Sequence, residues 1–312
     1  MSAIGNPRLV IKVCEMYYLL DMSQKEIASR LKLSRPHVCR IIAQARSSGI
    51  VEISIKNPNK SDTDLEHRLV QTFGLQDAFV VTASDAEKSE RDRQFSREAA
   101  NYLDTFLSND MQVGVMSGKT IFAIAQQMHS PGTRLGYIVP LVGGIGTGNS
   151  NLHANSIAMQ IASAYHGTSM VINAPSMVSS AEAASILRQE ASVSEVLEKG
   201  RHCDVTIVGI GNADANSTTA QAGGITMDDL RALKAAGAVS SVCSSYYDKN
   251  GNEVDVLTDR SIGLRLSDLK RSRVIACALG QSKVAAIHAT LLTKRLDVLM
   301  TDSETARSLL NY

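Results

Sequence analysis

Apolar residues recur at helical spacing in the first twenty positions of the chain. Intervals of three and four residues predict an amphipathic helix over residues 7–20, whose apolar face carries Val10, Val13, Cys14 and Tyr17. Pro7 suits the first turn, because its missing N–H would have no partner there. The chain is therefore expected to begin with a helix that packs one face against a neighbour.

Two serines mark the starts of two further helices. Ser23 and Glu26 have the spacing of a capping box and predict a short helix that runs to Leu31. Ser34 follows as a second N-cap residue and predicts a third helix that ends at Gly49. The three predicted helices have the order and the short turn of a helix-turn-helix.

The next residues predict a boundary. Residues 50–56 alternate apolar and polar side chains, as a strand or small wing would. Residues 57–61, Asn-Pro-Asn-Lys-Ser, have the composition of a loop. We therefore predict a winged helix-turn-helix domain over residues 1–58 and a second domain over 59–312, which opens with an amphipathic helix at 62–73.

From about residue 75, apolar strand candidates alternate with helical stretches. The predicted strands are 78–81, 112–116, 135–141, 168–172, 205–209, 239–247, 274–278 and 298–301. The predicted helices are 88–108, 120–129, 151–165, 180–199, 227–236, 282–293 and 303–311. Strands separated by helices favour a doubly wound, mostly parallel α/β domain with helices on both faces.

The two predicted domains differ in net charge. Residues 1–60 hold ten Lys or Arg and four Asp or Glu, a net charge of +6, whereas the other 252 hold 22 and 27, a net charge of −5. A basic module joined to a mildly acidic body indicates that only the first part meets a polyanion.

Composition narrows the class of protein. Of the 312 residues 44% are hydrophobic and 20% charged, and no apolar run is long enough to span a membrane. Lys12 and Glu15 interrupt any signal peptide. The five cysteines are scattered, as free thiols in a reducing cytoplasm would be: Cys14, Cys39, Cys203, Cys243 and Cys277. We expect a cytoplasmic protein with no metal and no cofactor.

The outward face of the third helix suits a DNA major groove. Arginine can fork onto guanine, glutamine onto adenine, and a helix N-terminus favours phosphate. The predicted DNA-binding residues are Ser23, Gln24, Ser34, Arg35, Pro36, His37, Arg40 and Gln44. A phosphate contact or plain exposure stays open for the two arginines and His37, and a solvated helix pair is the alternative for the whole motif.

Three glycine-bearing loops follow predicted strands, where open α/β sheets bind ligands. In the first, Ser117, Gly118, Lys119 and Thr120 stand before a helix and predict an anion site. The spacing is neither that of a Walker A loop nor that of a nucleophile elbow. The other two loops contribute Gly143 and Gly144, then Gly209 and Gly211, without a dinucleotide fingerprint. Each glycine could instead serve only a tight turn.

Two further residues are candidates for the same ligand. Lys283 begins a helix after a strand and could supply a second cation, or be an exposed first-turn lysine. Asp248 could accept sugar hydroxyls, or belong only to a turn.

The chain resembles the SorC family of sugar-responsive bacterial regulators over nearly its whole length. The matching stretches are SQKEIASRLKLSRPHVCRII, GVMSGKT, PLVGG, CDVTIVGIG, LKAAGAV, YYDKNG, VIACALGQSKVAAIHATLL and VLMTDSETARSLL. The resemblance implies an effector domain similar to sugar-phosphate isomerases and glucosamine-phosphate deaminases. It also implies phosphorylated sugars or polyols as effectors, and tetramers bound to operator DNA.

The resemblance extends to the site residues. By position, Ser117–Thr120 match the family's phosphate-side loop, Gly143 and Gly144 its second loop, and Asp248 and Lys283 fall where members contact ligand. We therefore predict a non-enzymatic transcriptional regulator of a carbohydrate or polyol operon. The alternative is an isomerase- or deaminase-like enzyme with an appended DNA-binding module.

Overall fold

The computed structural model describes residues 7–53, 62–82, 87–129, 132–144, 150–221 and 224–312. The chain divides into two compact units, Met1–Pro58 and Asn59–Tyr312. No helix in the described ranges combines the length and apolar character that a bilayer crossing requires.

The first unit contains three helices: α1 (Pro7–Tyr18), α2 (Gln24–Leu31) and α3 (Arg35–Ser47). Their inner faces share one buried cluster, in which Ile27 and Ala28 of α2 meet Val38 and Ile42 of α3. The turn between α2 and α3 is tight, because the Leu33 N–H donates to the Ala28 carbonyl over 2.9 Å. The three predicted helices are confirmed.

The predicted wing is only partly described. Ile50, Val51, Glu52 and Ile53 do not form a strand, and residues 54–56 lie outside the described residues. The wing therefore stays a prediction.

The second unit alternates helices and strands. Its helices are α4 (Thr63–Phe73), α5 (Lys88–Asp104), α6 (Lys119–Ala125), α7 (Ala154–Ala164), α8 (Ala181–Gln189), α9 (Ala191–Arg201), α10 (Thr218–Gln221), α11 (Met227–Ala235), α12 (Val284–Leu292) and α13 (Ser303–Leu310). Its strands are β1 (Asp77–Val81), β2 (Val113–Val115), β3 (Tyr137–Pro140), β4 (Thr168–Ser169), β5 (Val205–Gly209), β6 (Gly211–Asn212), β7 (Ala238–Val242), β8 (Ser245–Asp248), β9 (Arg273–Cys277) and β10 (Val298–Asp302).

A seven-stranded parallel sheet, in the order β1-β10-β9-β5-β2-β3-β4, forms the centre of this unit in the described ranges. The chain winds from β2 to one side and from β5 to the other, so a topological switch point lies between these two strands. Ligands of open α/β sheets bind beyond the carboxyl ends of the strands near such a point. The doubly wound α/β fold is confirmed.

Alternate residues of each strand enter cores on opposite faces of the sheet. On β9, for example, Val274 and Ala276 join one core while Ile275 and Cys277 join the other. Helices α5, α6 and α7 cover the second face, and α4, α8, α9, α12 and α13 cover the first. Burial on both faces explains the nearly continuous apolar runs of the strands.

Several predicted elements differ from those observed. The predicted strand 239–247 is an antiparallel hairpin of β7 and β8, which turns at Cys243 with a φ of 55° and joins β6 in a second sheet. The predicted helix 180–199 is broken at Glu190, whose extended backbone separates α8 from α9. The predicted strand 168–172 pairs only at β4. A continuous apolar pattern does not reveal where a turn interrupts it.

The edges of the parallel sheet are β1 and β4. Along the outer side of β1, the Asp62 N–H donates to the Val80 carbonyl over 3.1 Å, and the Val80 N–H donates to Glu66 Oε1 over 2.9 Å. Residues of the α4 segment therefore occupy the backbone groups in the middle of this edge.

Candidate functional site

The two predicted N-cap serines form the caps of the helix-turn-helix. The Ser23 N–H donates to Glu26 Oε2 over 2.8 Å, and the Glu26 N–H donates to Ser23 Oγ over 3.3 Å, which completes a capping box. The His37 N–H donates to Ser34 Oγ over 3.4 Å, and Pro36 lies in the first turn of α3. Both serine side chains satisfy N–H groups that lack a helical partner.

The predicted DNA-reading side chains lie mainly on the open face of α3. Arg35, His37 and Arg40 are exposed, as is Pro36, whereas Gln24 and Gln44 are half-buried. The exposed residues of α3 that were not predicted are Cys39, Ala43, Arg46 and Ser47. Ala43 follows Arg40 by three positions, one helical turn, and a methyl group can contact the methyl of thymine. The sequence prediction selected polar side chains on the outward face of the helix, and it therefore missed a small apolar residue there.

The first glycine loop lies at the carboxyl end of β2. Ser117 is buried, and the Gly118 N–H donates to the Leu152 carbonyl over 3.0 Å. Gly118 has a φ of 136°, a conformation that L side chains rarely adopt, and α6 begins at the next residue, Lys119.

A second loop of the same kind lies at the carboxyl end of β9. Gly280 has a φ of 108°, and its N–H donates to Thr305 Oγ1 over 2.8 Å. A short 3-10 turn over Gln281–Lys283 then leads into α12. The Ser308 hydroxyl donates to Gln281 Oε1 over 2.9 Å, so α13 fixes this loop from the side.

The two loops meet at a cavity of about 490 Å³ beyond the carboxyl ends of β1, β9 and β10. Its walls include Lys119, Thr120 and Lys283, together with the ends of β1 and β10 and the first turns of α5. That volume lies within the range of small-molecule sites. The structure thus brings together three of the predicted ligand residues from distant parts of the sequence.

The cavity also contains two cations that were not predicted. Lys88 Nζ lies 2.8 Å from Asp92 Oδ2, and Arg91 Nη1 lies 2.9 Å from Glu304 Oε1. All four residues line the cavity. The sequence could have indicated Lys88 and Arg91, because both lie in the first turn of a helix that follows a strand. The same context led to the prediction of Lys283.

Lys283 is influenced by two other cations of the cavity, Lys119 and Lys88. Burial lowers the pKa of its ammonium, the positive charges of Lys119 and Lys88 lower it further, and the carboxylate of Asp92 partly offsets them. Lys119 Nζ donates to the side-chain oxygen of Gln221 over 3.2 Å. In the described part of the chain, neither Lys119 nor Lys283 forms an ion pair with a carboxylate. The two lysines form a cationic pair that can hold an anion.

The other predicted glycines do not line this cavity. A Cβ at Gly143 would lie 2.5 Å from the Ala174 carbonyl, so this glycine permits close packing of two loops. The Gly144 N–H donates to the same carbonyl over 2.9 Å. Gly209 packs against Ile121 of α6, and Gly211 pairs with Ser241 in the antiparallel sheet. Ser117 and Gly118 shape the loop without lining the cavity.

Asp248 is not brought to the cavity. Its carboxylate accepts bonds from the backbone N–H groups of Asn250 and Asn252, both over 2.9 Å, and from the side-chain amide of Asn252. The same turn packs at Gly251 against Leu292, the last residue of α12, whereas Lys283 directly precedes that helix. Asp248 therefore belongs to a turn, the alternative that the sequence left open.

Comparison with known proteins finds matches that cover both units of the chain. A family model described as "Putative sugar-binding domain" matches residues 57–311. The chain is 29% identical to the Deoxyribonucleoside regulator of Bacillus subtilis (strain 168) over 306 residues, which cover 97% of each chain. It is 28% identical to the Erythritol catabolism regulatory protein EryD of Brucella abortus (strain 2308), over 99% of this chain and 98% of that one.

A solved structure extends the match to the whole fold. The full-length Sorbitol Operon Regulator SorC from Klebsiella pneumoniae superposes with a TM-score of 0.74 at 27% identity, over 97% of this chain and 98% of that one. The similarity thus includes both the helix-turn-helix and the α/β unit. The chain belongs to the SorC family of transcriptional regulators, which join a DNA-binding unit to a sugar-binding domain.

Proposed function

We propose that this chain binds operator DNA through α3 and regulates a carbohydrate or polyol operon in response to a phosphorylated sugar or polyol. The observation that carries the proposal is the cavity at the carboxyl edge of the sheet, which Lys119 and Lys283 both line without a carboxylate partner among the described residues. A phosphate dianion is the natural counterion for two ammonium groups.

The remaining walls of the cavity suit a hydroxylated ligand. Thr120, Gln94, Ser96 and Ser282 line it and supply donors and acceptors for hydroxyl groups. The relatives are named for deoxyribonucleosides and erythritol, and the structural neighbour for sorbitol. These names support an effector of the sugar and polyol class.

The proposed mechanism is a ligand-dependent change in the spacing of paired α3 helices. Helix-turn-helix proteins read two half-sites about one helical turn apart, so a small rotation between subunits changes operator affinity. We propose a homotetramer as the assembly and the cytoplasm as its location.

Each described carboxylate that lines the cavity already has a hydrogen-bond or ion-pair partner. Among the lining residues that the structure describes there is no histidine, cysteine or tyrosine. Asp92 and Glu304 are in ion pairs, and Asp302 accepts a bond from the Thr305 N–H at the start of α13. We therefore propose binding without turnover, and the isomerase or deaminase alternative has no support from this site.

The test uses the full-length chain and a duplex selected from random sequences as its operator. Thermal unfolding is measured against a panel of sugar and polyol phosphates and the same compounds without phosphate, and operator affinity by fluorescence anisotropy. We expect a phosphorylated compound to raise the melting temperature and change operator affinity, and the Lys119→Gln/Lys283→Gln variant to lose both responses. Lys249→Gln/Lys270→Gln is the control of equal charge. If no compound acts on the wild type, the proposal is wrong.

A further inference from the structure

The charges around the cavity divide into two groups. Lys119 and Lys283 have no carboxylate partner among the described residues, whereas Lys88 and Arg91 each have one, in Asp92 and Glu304. The two ion pairs lie at the rim, since the Lys88 and Asp92 side chains are 80% and 49% exposed, and those of Arg91 and Glu304 are 33% and 50% exposed. Among the described residues, the unpaired positive charge of the cavity is therefore that of Lys119 and Lys283.

This division limits the charge of the ligand. A phosphate monoester carries up to two negative charges at neutral pH, which the two lysines neutralise. A second phosphate that bound Lys88 or Arg91 would compete with Asp92 or Glu304 and would be repelled by that carboxylate. The carboxylates of Asp92 and Glu304 should therefore lower the affinity for a ligand with two phosphate groups.

We propose that Asp92 and Glu304 are specificity-determining residues, which restrict the effector to compounds with a single phosphate group. The inference rests on the proposed function, because it assumes that Lys119 and Lys283 hold a phosphate. Asp92 and Glu304 would act by forming ion pairs with Lys88 and Arg91, and not by contacting the ligand.

The field at Lys283 supports this assignment. Of the charges that act on its pKa, Lys119 and Lys88 lower it and Asp92 raises it, so the rim pair is close enough to influence the group that would hold the phosphate. Arg91 is the more buried of the rim cations, with a side chain 33% exposed, and its partner Glu304 comes from a different helix, α13.

The experiment compares matched ligands on the full-length chain. Calorimetric titrations at pH 8 and low salt use fructose 6-phosphate against fructose 1,6-bisphosphate, ribulose 5-phosphate against ribulose 1,5-bisphosphate, and inorganic phosphate against pyrophosphate. At that pH a phosphate monoester is mostly dianionic. We expect the wild type to bind the monophosphate of a pair more tightly.

The variants remove one rim carboxylate at a time. Asp92→Asn and Glu304→Gln should raise the affinity for the bisphosphate relative to the monophosphate by about two- to fivefold, the range expected for exposed pairs. Glu198→Gln is the control, because it breaks a similar exposed pair, with Arg201 on α9, that does not line this cavity.

The outcomes separate the two proposals. The inference is overturned if the wild type binds the bisphosphate as tightly as the monophosphate. It is also overturned if Asp92→Asn and Glu304→Gln change the ratio of bisphosphate to monophosphate affinity no more than Glu198→Gln does. Both results leave the proposed function standing. A wild type that binds no phosphate compound overturns both.

Discussion

Lys119 and Lys283 come from opposite halves of the α/β unit, and the positive charge of Lys119 adds to burial in lowering the pKa of Lys283. Two cations held close together without a carboxylate partner in the described residues destabilise an empty site and favour an occupied one. The stability of the free protein and its affinity for an anion should therefore oppose each other at this pair.

Replacing Lys283 by methionine should stabilise the ligand-free protein. The variant removes a buried charge and its repulsion from Lys119, which we expect to raise the free energy of unfolding by about 0.5–2 kcal/mol. Because the folded-state pKa is lowered, the destabilisation is fully present below that pKa, diminishes as pH rises through it and is gone above the pKa of the unfolded state. Urea unfolding at pH 7 and in the alkaline range measures the difference, which should narrow as pH rises. A variant less stable than the wild type at pH 7 would contradict the charge argument.

Removing the two exposed arginines of α3 should weaken operator binding. Arg35→Ala/Arg40→Ala deletes two cations from the open face of the helix, and each phosphate that is no longer neutralised should flatten the salt dependence of the association constant by about 0.9 in log–log slope. Anisotropy titrations over a range of salt concentrations measure both quantities. Lys249→Ala/Lys270→Ala, in the α/β unit, is the control. Unchanged affinity and slope in the arginine variant would show that this face does not meet the DNA.

Gly280→Ala should destabilise the second loop although nothing lies within 4 Å of the added methyl group. The cause is conformational, because a φ of 108° is strained for alanine, at about 1–3 kcal/mol. Gly209→Ala is the matched control, since its φ is ordinary and the nearest atom to its Cβ, on Ile121, is 3.5 Å away. Thermal unfolding compares the two variants, and equal melting temperatures would be inconsistent with strain at Gly280.

Asp248→Asn should leave effector affinity unchanged. The carboxylate is occupied by Asn250 and Asn252 and lies at the other end of α12 from the cavity, so the variant weakens a turn without altering the cavity walls. Calorimetry with the compound that the thermal screen identifies tests this, and the melting temperature reports the weaker turn. A clear fall in affinity would return Asp248 to the binding site.

The helix-turn-helix could be predicted almost residue by residue because its signals are local. Ser23, Glu26 and Ser34 act on N–H groups within one turn, and the helical interval is visible over a few residues. The α/β class was predictable for a similar reason, since strands buried on both faces leave apolar runs that stand out along the chain.

The cavity was less predictable because it depends on strand order. Lys88, Lys119 and Lys283 follow β1, β2 and β9, and nothing in the spacing of these residues states which strands are neighbours. The position of each lysine before a helix was enough to predict Lys119 and Lys283 one at a time. The role of Asp92 and Glu304 can be inferred only when their ion-pair partners are known. The glycines were grouped with Lys119 by their position after strands, whereas Gly143 packs two loops together and Gly211 pairs in a second sheet that periodicity did not separate from the first.

The two edges of the parallel sheet bear on how copies of this chain assemble. An open edge is a template for adding strands, but β4 offers only two residues, and on β1 the N–H and carbonyl of Val80 are bonded to Glu66 and Asp62. Neither edge suits continuation of the sheet into a neighbouring molecule. Oligomers of this protein should therefore associate through side-chain surfaces, whose contacts can rearrange when a ligand binds. Such an arrangement also protects the folded regulator at high concentration from strand-by-strand aggregation.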